Sequence, residues 1–121
     1  MKAEMKLFSS GTRIRKHADF AYVREQGRNR AGRFCAVRAA TPRESGWRVA
    51  IVVSRYFSRK AVERNRAKRV LREACRQVLS EFPETWLVIR PRQPIKRAGT
   101  QDVAEDLRAA LKKLRDSKSR H

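Results

Sequence analysis

The longest amphipathic pattern in the chain runs through residues 58–76, a stretch that contains neither Gly nor Pro. At 100° per residue, one side of a helix would gather Ala67, Val70, Leu71, Ala74 and Val78. The opposite side would carry Asn65, Lys68, Arg69, Arg72 and Arg76. The pattern predicts a helix that begins with Ser58 as its N-cap and ends near Ser80, because Phe82 precedes a proline. One face of this helix can enter a core, and the other is cationic.

Three shorter apolar segments, residues 33–40, 47–54 and 85–90, predict strands. The second segment is the clearest, because both of its faces are largely apolar, as in an interior strand. A strand, the basic helix and another strand follow one another along the chain. This succession predicts a crossover with parallel pairing.

Two further helices are predicted at residues 17–26 and 100–115. Gly27 follows the first and is expected as its C′ residue. The second places apolar residues at i, i+4, i+7, i+8 and i+11, with acidic residues early and basic residues late, which matches the helix dipole. Residues 13–115 therefore form one predicted domain, between an N-terminal arm (residues 1–12) and a disordered tail (residues 116–121).

The charge of the chain indicates that this small domain binds a partner. It has 31 Lys and Arg against 12 Asp and Glu, a formal net charge of +19. One interpretation is an ordinary solvated helix face, in which Arg69 and Glu73 form a minor ion pair. Such a face usually carries both positive and negative side chains. A face this positive favours a polyanion. No apolar run approaches eighteen residues and no signal peptide or lipidation pattern is visible, so we expect a cytoplasmic protein that binds nucleic acid rather than membrane.

The residues that usually carry catalysis or bind metals are few and scattered. Cys35 and Cys75 are far apart and each lies on an apolar face, which predicts buried, reduced thiols. The histidines are His17 and His121, so the close set of ligands that zinc needs is missing. The carboxylates do not cluster as a two-metal nuclease requires. We expect no metal, no cofactor and no catalytic residue in the polypeptide.

Aromatic residues among cations leave two interpretations open. Phe20 can be a core anchor, or a ring on which bases stack while phosphates meet the surrounding charges. Its basic neighbours are Arg13, Arg15, Lys16 and Arg24. Tyr56 and Phe57 join a strand to the basic helix, and both are expected to pack.

The basic helix also resembles a known family. Arg64-Asn65-Arg66, with Lys68-Arg69 and Arg72-Glu73 after it, is similar to the RNR motif (RNRxKRxxRE) of the bacterial ribonuclease P protein subunit, and the resemblance extends over about residues 13–114. The segment containing Lys16, Phe20 and Gly27 resembles the family's first helix, whose aromatic lines a cleft for the 5′ leader of precursor tRNA. Arg24 and Arg38 stand where relatives commonly have aromatic residues, so this cleft is expected to depend more on charge.

The resemblance implies a non-catalytic protein component of a ribonucleoprotein endoribonuclease. Its partners would be ribonuclease P RNA, the catalyst, and precursor tRNA, with no DNA and no membrane; Mg²⁺ would enter through the RNA. The residues expected to face the catalytic RNA are Arg59, Lys60, Arg64, Asn65, Arg66, Lys68, Arg69 and Arg72. Those expected toward the leader are Arg13, Lys16, Phe20, Arg24 and Arg38.

The predicted fold class is α+β, a two-layer α/β sandwich in which helices pack on a small mixed sheet, in the order roughly α-β-β-(β)-α-β-α. Crossovers are generally right-handed, whereas the family implies a left-handed βαβ unit. Three other functions remain open at this point. They are a structural RNA-binding protein of ribosomal type, a DNA-binding protein with residues 58–76 in a groove, and a free-standing nuclease.

Overall fold

The computed structural model describes residues 13, 14 and 16–118, so the predicted arm, Arg15 and the end of the predicted tail lie outside the described residues. The helices are α1 (His17–Gln26), α2 (Ala61–Val78) and α3 (Thr100–Lys118). The strands are β1 (Arg28–Ala31), β2 (Cys35–Ala40), β3 (Arg48–Ile51) and β4 (Trp86–Pro91). Short 3₁₀ helices, Leu79–Glu81 and Gln93–Arg97, follow α2 and β4. Because α3 continues to Lys118, the first residues of the predicted disordered tail are helical.

The four strands form one mixed sheet in the order β1-β2-β4-β3. β2 is antiparallel to both β1 and β4, whereas β3 and β4 are parallel. The parallel pair confirms the predicted crossover through α2, and the hand of that crossover stays a prediction. The predicted order placed an additional strand in parentheses between the segment 47–54 and the basic helix, but the additional strand is β1, which precedes both predicted strands. It is short, polar and at the sheet edge, so it has no apolar run that would reveal it.

The two faces of the sheet carry separate apolar clusters, because side chains alternate along each strand. On β4, Leu87 and Ile89 join the larger cluster under α2 and α3, while Trp86 and Val88 join a smaller cluster under α1. The layer of α2 and α3 on the sheet confirms the predicted α+β sandwich. α1 covers only part of the opposite face, and the remainder of that face stays accessible.

The N-terminus of α2 differs from the prediction. The helix begins at Ala61, and Lys60 occupies the N-cap position without a side-chain cap. The Ser58 hydroxyl accepts a hydrogen bond from the Lys60 backbone N–H at 3.1 Å and donates to Glu63 Oε1 at 2.5 Å. Ser58 therefore organises the turn before the helix. Its bond to Glu63 replaces the predicted capping bond.

Gly27 follows α1 as predicted, but for a different reason than the C′ role. Its φ is −80°, outside the left-handed region. A Cβ atom there would lie 2.4 Å from the Val23 carbonyl oxygen and 2.9 Å from Arg38 Cγ. Gly27 is therefore required by close packing where α1 meets β2.

α3 is tied to the turn between β1 and β2 by one carboxylate. Asp106 accepts hydrogen bonds from the backbone N–H groups of Arg33 and Phe34, both at 2.9 Å, and of Cys35 at 3.3 Å. A Cβ at Gly32 would meet the same carboxylate at 2.5 Å. The sequence pattern indicates only a helix-dipole role for the acidic residues early in α3, because these partners lie more than seventy positions away.

Both cysteines are buried and free, which confirms their predicted burial. Burial, together with the nearby Asp106 carboxylate, raises the pKa of the Cys35 thiol to about 12. Burial also raises the pKa of Cys75. Since the thiolate is the reactive form, both side chains behave as small apolar core residues at neutral pH.

Candidate nucleic-acid interface

The first candidate surface is the outer face of α2. The five side chains predicted to face the core, from Ala67 to Val78, are all buried. On the opposite side Asn65, Arg69 and Arg76 are exposed, and Lys68 and Arg72 are half-buried. Arg59 and Lys60 are exposed just before the helix. The predicted orientation is confirmed, and we call these seven residues the α2 surface.

Acidic residues neutralise little of the α2 surface. Glu63 is bound to Ser58 and lies 3.7 Å from Lys96 Nζ. The hydrogen bond from Ser58 lowers the pKa of Glu63, and the neighbouring lysines reinforce the effect. Glu73 pairs with Arg76 at 3.2 Å, three positions after it, rather than with Arg69, four positions before it. Arg69 thus keeps its charge toward solvent.

Arg66, the second arginine of the RNR sequence, points away from the α2 surface. Its guanidinium donates to the backbone carbonyl oxygens of Ile95 at 3.0 Å and Ala98 at 2.5 Å, with a longer contact of 3.5 Å to that of Lys96. Ile95 and Ala98 are both buried. Arg66 therefore holds α2 against the 3₁₀ helix after β4. The motif alone could not show this role, because the acceptors lie about thirty residues downstream.

Arg64, the first arginine of the motif, has a mixed position. One guanidinium nitrogen donates to the Ser58 carbonyl oxygen at 2.9 Å, which supports the turn before α2. The same side chain lines an open cavity of about 650 Å³ together with Arg55, Tyr56 and Arg59. Arg64 thus makes a local structural contact and also contributes to an accessible basic surface.

The second candidate surface is the part of the sheet that α1 leaves uncovered. An open cavity of about 270 Å³ there is lined by side chains from three strands, among them Asn29, Arg38, Val88 and Arg90. Phe20 on α1 is half-buried and packs against the cluster that contains Val88. We call this region, between α1 and the open sheet face, the α1 cleft. Phe20 serves partly as a packing residue and leaves part of its ring accessible.

The other predicted leader residues differ in their burial and in the elements that carry them. Lys16 and Arg24 are exposed on α1, and Arg13 is exposed where its backbone bridges to Val49 of β3. Arg38 is half-buried, and its guanidinium donates to the carbonyl oxygens of Val23, at 3.0 Å, and Arg24. It therefore caps the negative end of the α1 dipole from inside the cleft.

Tyr56 was predicted to pack, and that prediction is wrong. Phe57 is buried, as expected, but Tyr56 is 99% exposed. The two residues share one tight turn, in which neighbouring side chains must point in different directions. No periodic pattern in the sequence indicates which of them faces the core.

The described part of the chain has neither a cluster of metal ligands nor a membrane-spanning helix. Residues 13, 14 and 16–118 contain no group of three or more His, Cys, Asp or Glu side chains that could hold a metal ion. Within the same residues, every helix is too short or too polar to cross a bilayer.

Comparison with known proteins agrees with this geometry. The ribonuclease P family model matches residues 8–115. The ribonuclease P protein component of Pseudanabaena sp. is 31% identical over 105 residues, which cover 85% of this chain and 90% of the relative. That of Herpetosiphon aurantiacus is 38% identical over 103 residues, 84% of this chain and 80% of the relative.

Solved structures show the same fold. The RNase P protein of Staphylococcus aureus superposes with a TM-score of 0.71 at 31% identity, over 83% of this chain and 92% of that one. The RNase P protein of Thermotoga maritima superposes with a TM-score of 0.72 at 29% identity, over 84% and 96% of the two chains. Fold, motif and sequence thus agree over nearly the whole length, and the chain belongs to the family of ribonuclease P protein components.

Proposed function

We propose that the α2 surface binds ribonuclease P RNA while the α1 cleft holds the 5′ leader of precursor tRNA. The observation that carries this proposal is the placement of two cationic surfaces on opposite sides of the sheet. α2 packs on one face, with its basic residues outward, and the α1 cleft opens on the other face, with Arg38 and Arg90 inside it. A protein so built can lie between two RNAs.

The physical role is to reduce repulsion between two polyanions. At +19, the chain replaces condensed counterions on both RNAs, and their release favours association. Contacts to the leader then increase the affinity for precursor tRNA but not for mature tRNA, which lacks the leader. Substrate carrying a leader is therefore held more tightly than product without one.

We assign the endonucleolytic cut to the RNA, acting with Mg²⁺. In the polypeptide, three of the carboxylates are occupied by structural partners. Asp19 pairs with Arg43 at 3.2 Å, Glu81 with Arg108 at 2.8 Å, and Asp106 with three backbone N–H groups. Such carboxylates are poorly placed to act as general bases, because the proton acceptor must be within reach of a nucleophile.

The leader contact is tested by measuring the affinity of the protein–RNA complex for precursor and mature tRNA. Precursor tRNA should bind more tightly, and its advantage should decline with salt. If about five leader phosphates are neutralised, log K should fall with log salt at a slope of about −3.5, near a hundredfold between 50 and 200 mM. Equal affinity for the two tRNAs would instead favour a structural RNA-binding protein of ribosomal type.

The α2 surface is tested by a pair of matched double variants. Arg69→Ala with Arg72→Ala should weaken assembly with ribonuclease P RNA and reduce the salt slope by about 1 to 2, one phosphate contact for each arginine. Lys112→Ala with Lys113→Ala removes the same charge from exposed positions of α3 and should leave assembly nearly unchanged. If both pairs weaken assembly equally, net charge rather than the α2 surface determines binding.

A further inference from the structure

Tyr56 is the most exposed large apolar side chain among the described residues, with 99% of its surface accessible. Single exposed apolar residues are common on proteins and need no explanation by themselves. Tyr56 differs because both its backbone anchoring and its charged surroundings are defined by the structure.

The turn that presents Tyr56 is held from both sides. The Phe57 backbone N–H donates to the Ser54 carbonyl oxygen at 3.1 Å, which closes the turn. The Phe57 side chain is buried, Lys96 Nζ lies 5.0 Å from its ring centroid, and Gln93 Nε2 donates to its carbonyl oxygen at 2.8 Å. The exposed ring is therefore attached to an anchored backbone, so little backbone ordering is needed when a flat ligand stacks on it.

Three arginines line an open cavity together with Tyr56. Arg55, Arg59 and Arg64 line the open cavity of about 650 Å³ that also contains Tyr56. The bond from Arg64 to Ser58 limits the movement of its guanidinium. A second open cavity, of about 430 Å³, shares Tyr56 and extends to Val52 and Arg90, the latter also a residue of the α1 cleft. The ring thus lies between the α1 cleft and the start of the α2 surface.

We propose that Tyr56 and these three arginines form a binding site for one unpaired RNA nucleotide. The base stacks on the exposed ring, and its phosphates lie against the arginines. An aromatic face with cations at its rim has the chemistry that single-stranded nucleic acid requires, and stacking tolerates any base. This inference rests on the proposed function. The nucleotide can come from the leader or from an unpaired segment of ribonuclease P RNA, since both offer the same chemistry.

The test uses three variants in the full protein. Tyr56→Ala removes the ring, Tyr56→Phe keeps it, and Val62→Ala truncates the other strongly exposed apolar residue of the described chain, which is 80% exposed. Affinity is measured for ribonuclease P RNA alone, and then, for the assembled complex, with precursor tRNA and with mature tRNA. Thermal unfolding of each variant serves as the folding control.

Tyr56→Ala should weaken one RNA interaction by about 5- to 150-fold, with Tyr56→Phe and Val62→Ala close to the unmodified protein. Loss of affinity for ribonuclease P RNA identifies that RNA as the source of the nucleotide, and loss confined to precursor tRNA identifies the leader. The salt slope should not change in Tyr56→Ala, because no phosphate contact is removed. In Arg59→Ala the slope of log K against log salt should become shallower by about 0.7, because one phosphate contact is lost.

Unchanged affinity of Tyr56→Ala in every arm would overturn the site, as would an equal loss in Tyr56→Phe or Val62→Ala. Failure of this inference is distinguishable from failure of the proposed function. In the first case the Arg69 and Arg72 double variant still weakens assembly and precursor tRNA is still preferred. In the second case those two results are themselves lost.

Discussion

Replacing Arg66 by Ala tests the structural role of one arginine of the RNR sequence separately from the RNA binding that we propose for its neighbours. In the native fold its guanidinium donates to the Ile95 and Ala98 carbonyl oxygens, which belong to buried residues. The Ile95 oxygen also accepts from the Ala98 backbone N–H at 3.1 Å, so truncation leaves the Ala98 oxygen as the acceptor that loses its donor. A buried polar group left unsatisfied costs about 1–3 kcal/mol, so this one acceptor predicts a loss of about 1–3 kcal/mol in the free energy of unfolding.

Arg69→Ala is the matched comparison, since it removes the same side chain three positions along the same helix. Arg69 is exposed, and an exposed substitution away from special contacts changes stability by within about 0.5 kcal/mol. Its effect should appear in RNA binding, as weaker assembly and a smaller salt slope. We therefore expect Arg66→Ala to lower stability and Arg69→Ala to weaken RNA binding.

Urea unfolding followed by far-UV circular dichroism measures the first effect, and filter binding to ribonuclease P RNA at several salt concentrations measures the second. Arg66→Lys should recover little stability, because a single ammonium cannot reproduce the fork of donors that reaches two carbonyl groups. If Arg66→Ala unfolds at the same urea concentration as Arg69→Ala, the contacts from Arg66 to the 3₁₀ helix contribute nothing measurable to stability, which would contradict the structural role of Arg66.

Three more predictions follow from single sites. Phe20→Ala should weaken binding of precursor tRNA by about 1–3 kcal/mol if a leader base stacks on the ring, measured as the Kd of the assembled complex; a change in thermal stability alone would make Phe20 a core residue only. Asp106→Ala should lower the free energy of unfolding by about 2–4 kcal/mol, because three backbone N–H groups lose their acceptor, and Asp102→Ala in the first turn of the same helix is the control in the same urea titration. The folded-state pKa of Cys35 is raised from 9.0 to about 12, so its contribution to stability is complete below pH 9 and is lost between about pH 9 and 12 as the unfolded thiol ionises first. Urea titrations at pH 8 and pH 10 should therefore show a smaller decrease in stability for Cys35→Ala than for the unmodified chain, and equal decreases would contradict the shift.

Several features of this protein can be predicted from local sequence patterns without tertiary information. The 3.6-residue period of residues 58–76 predicts which side of α2 is buried, because helix geometry alone decides which side chains share a face. The alternation in residues 47–54 predicts an interior strand for the same reason. The RNR sequence and the net charge indicate the family and an RNA partner, since both are properties of composition and spacing.

Only the tertiary structure decided how these elements use their side chains. Arg66 and Arg69 look equivalent in the sequence, yet one meets carbonyl groups about thirty residues away and the other meets solvent. Tyr56 and Phe57 are adjacent aromatics, and the closure of a single turn sends one outward and the other into the core. The strand order likewise depends on pairings between distant segments. A local period carries no information about such partners, because the chain must fold before distant donors and acceptors meet.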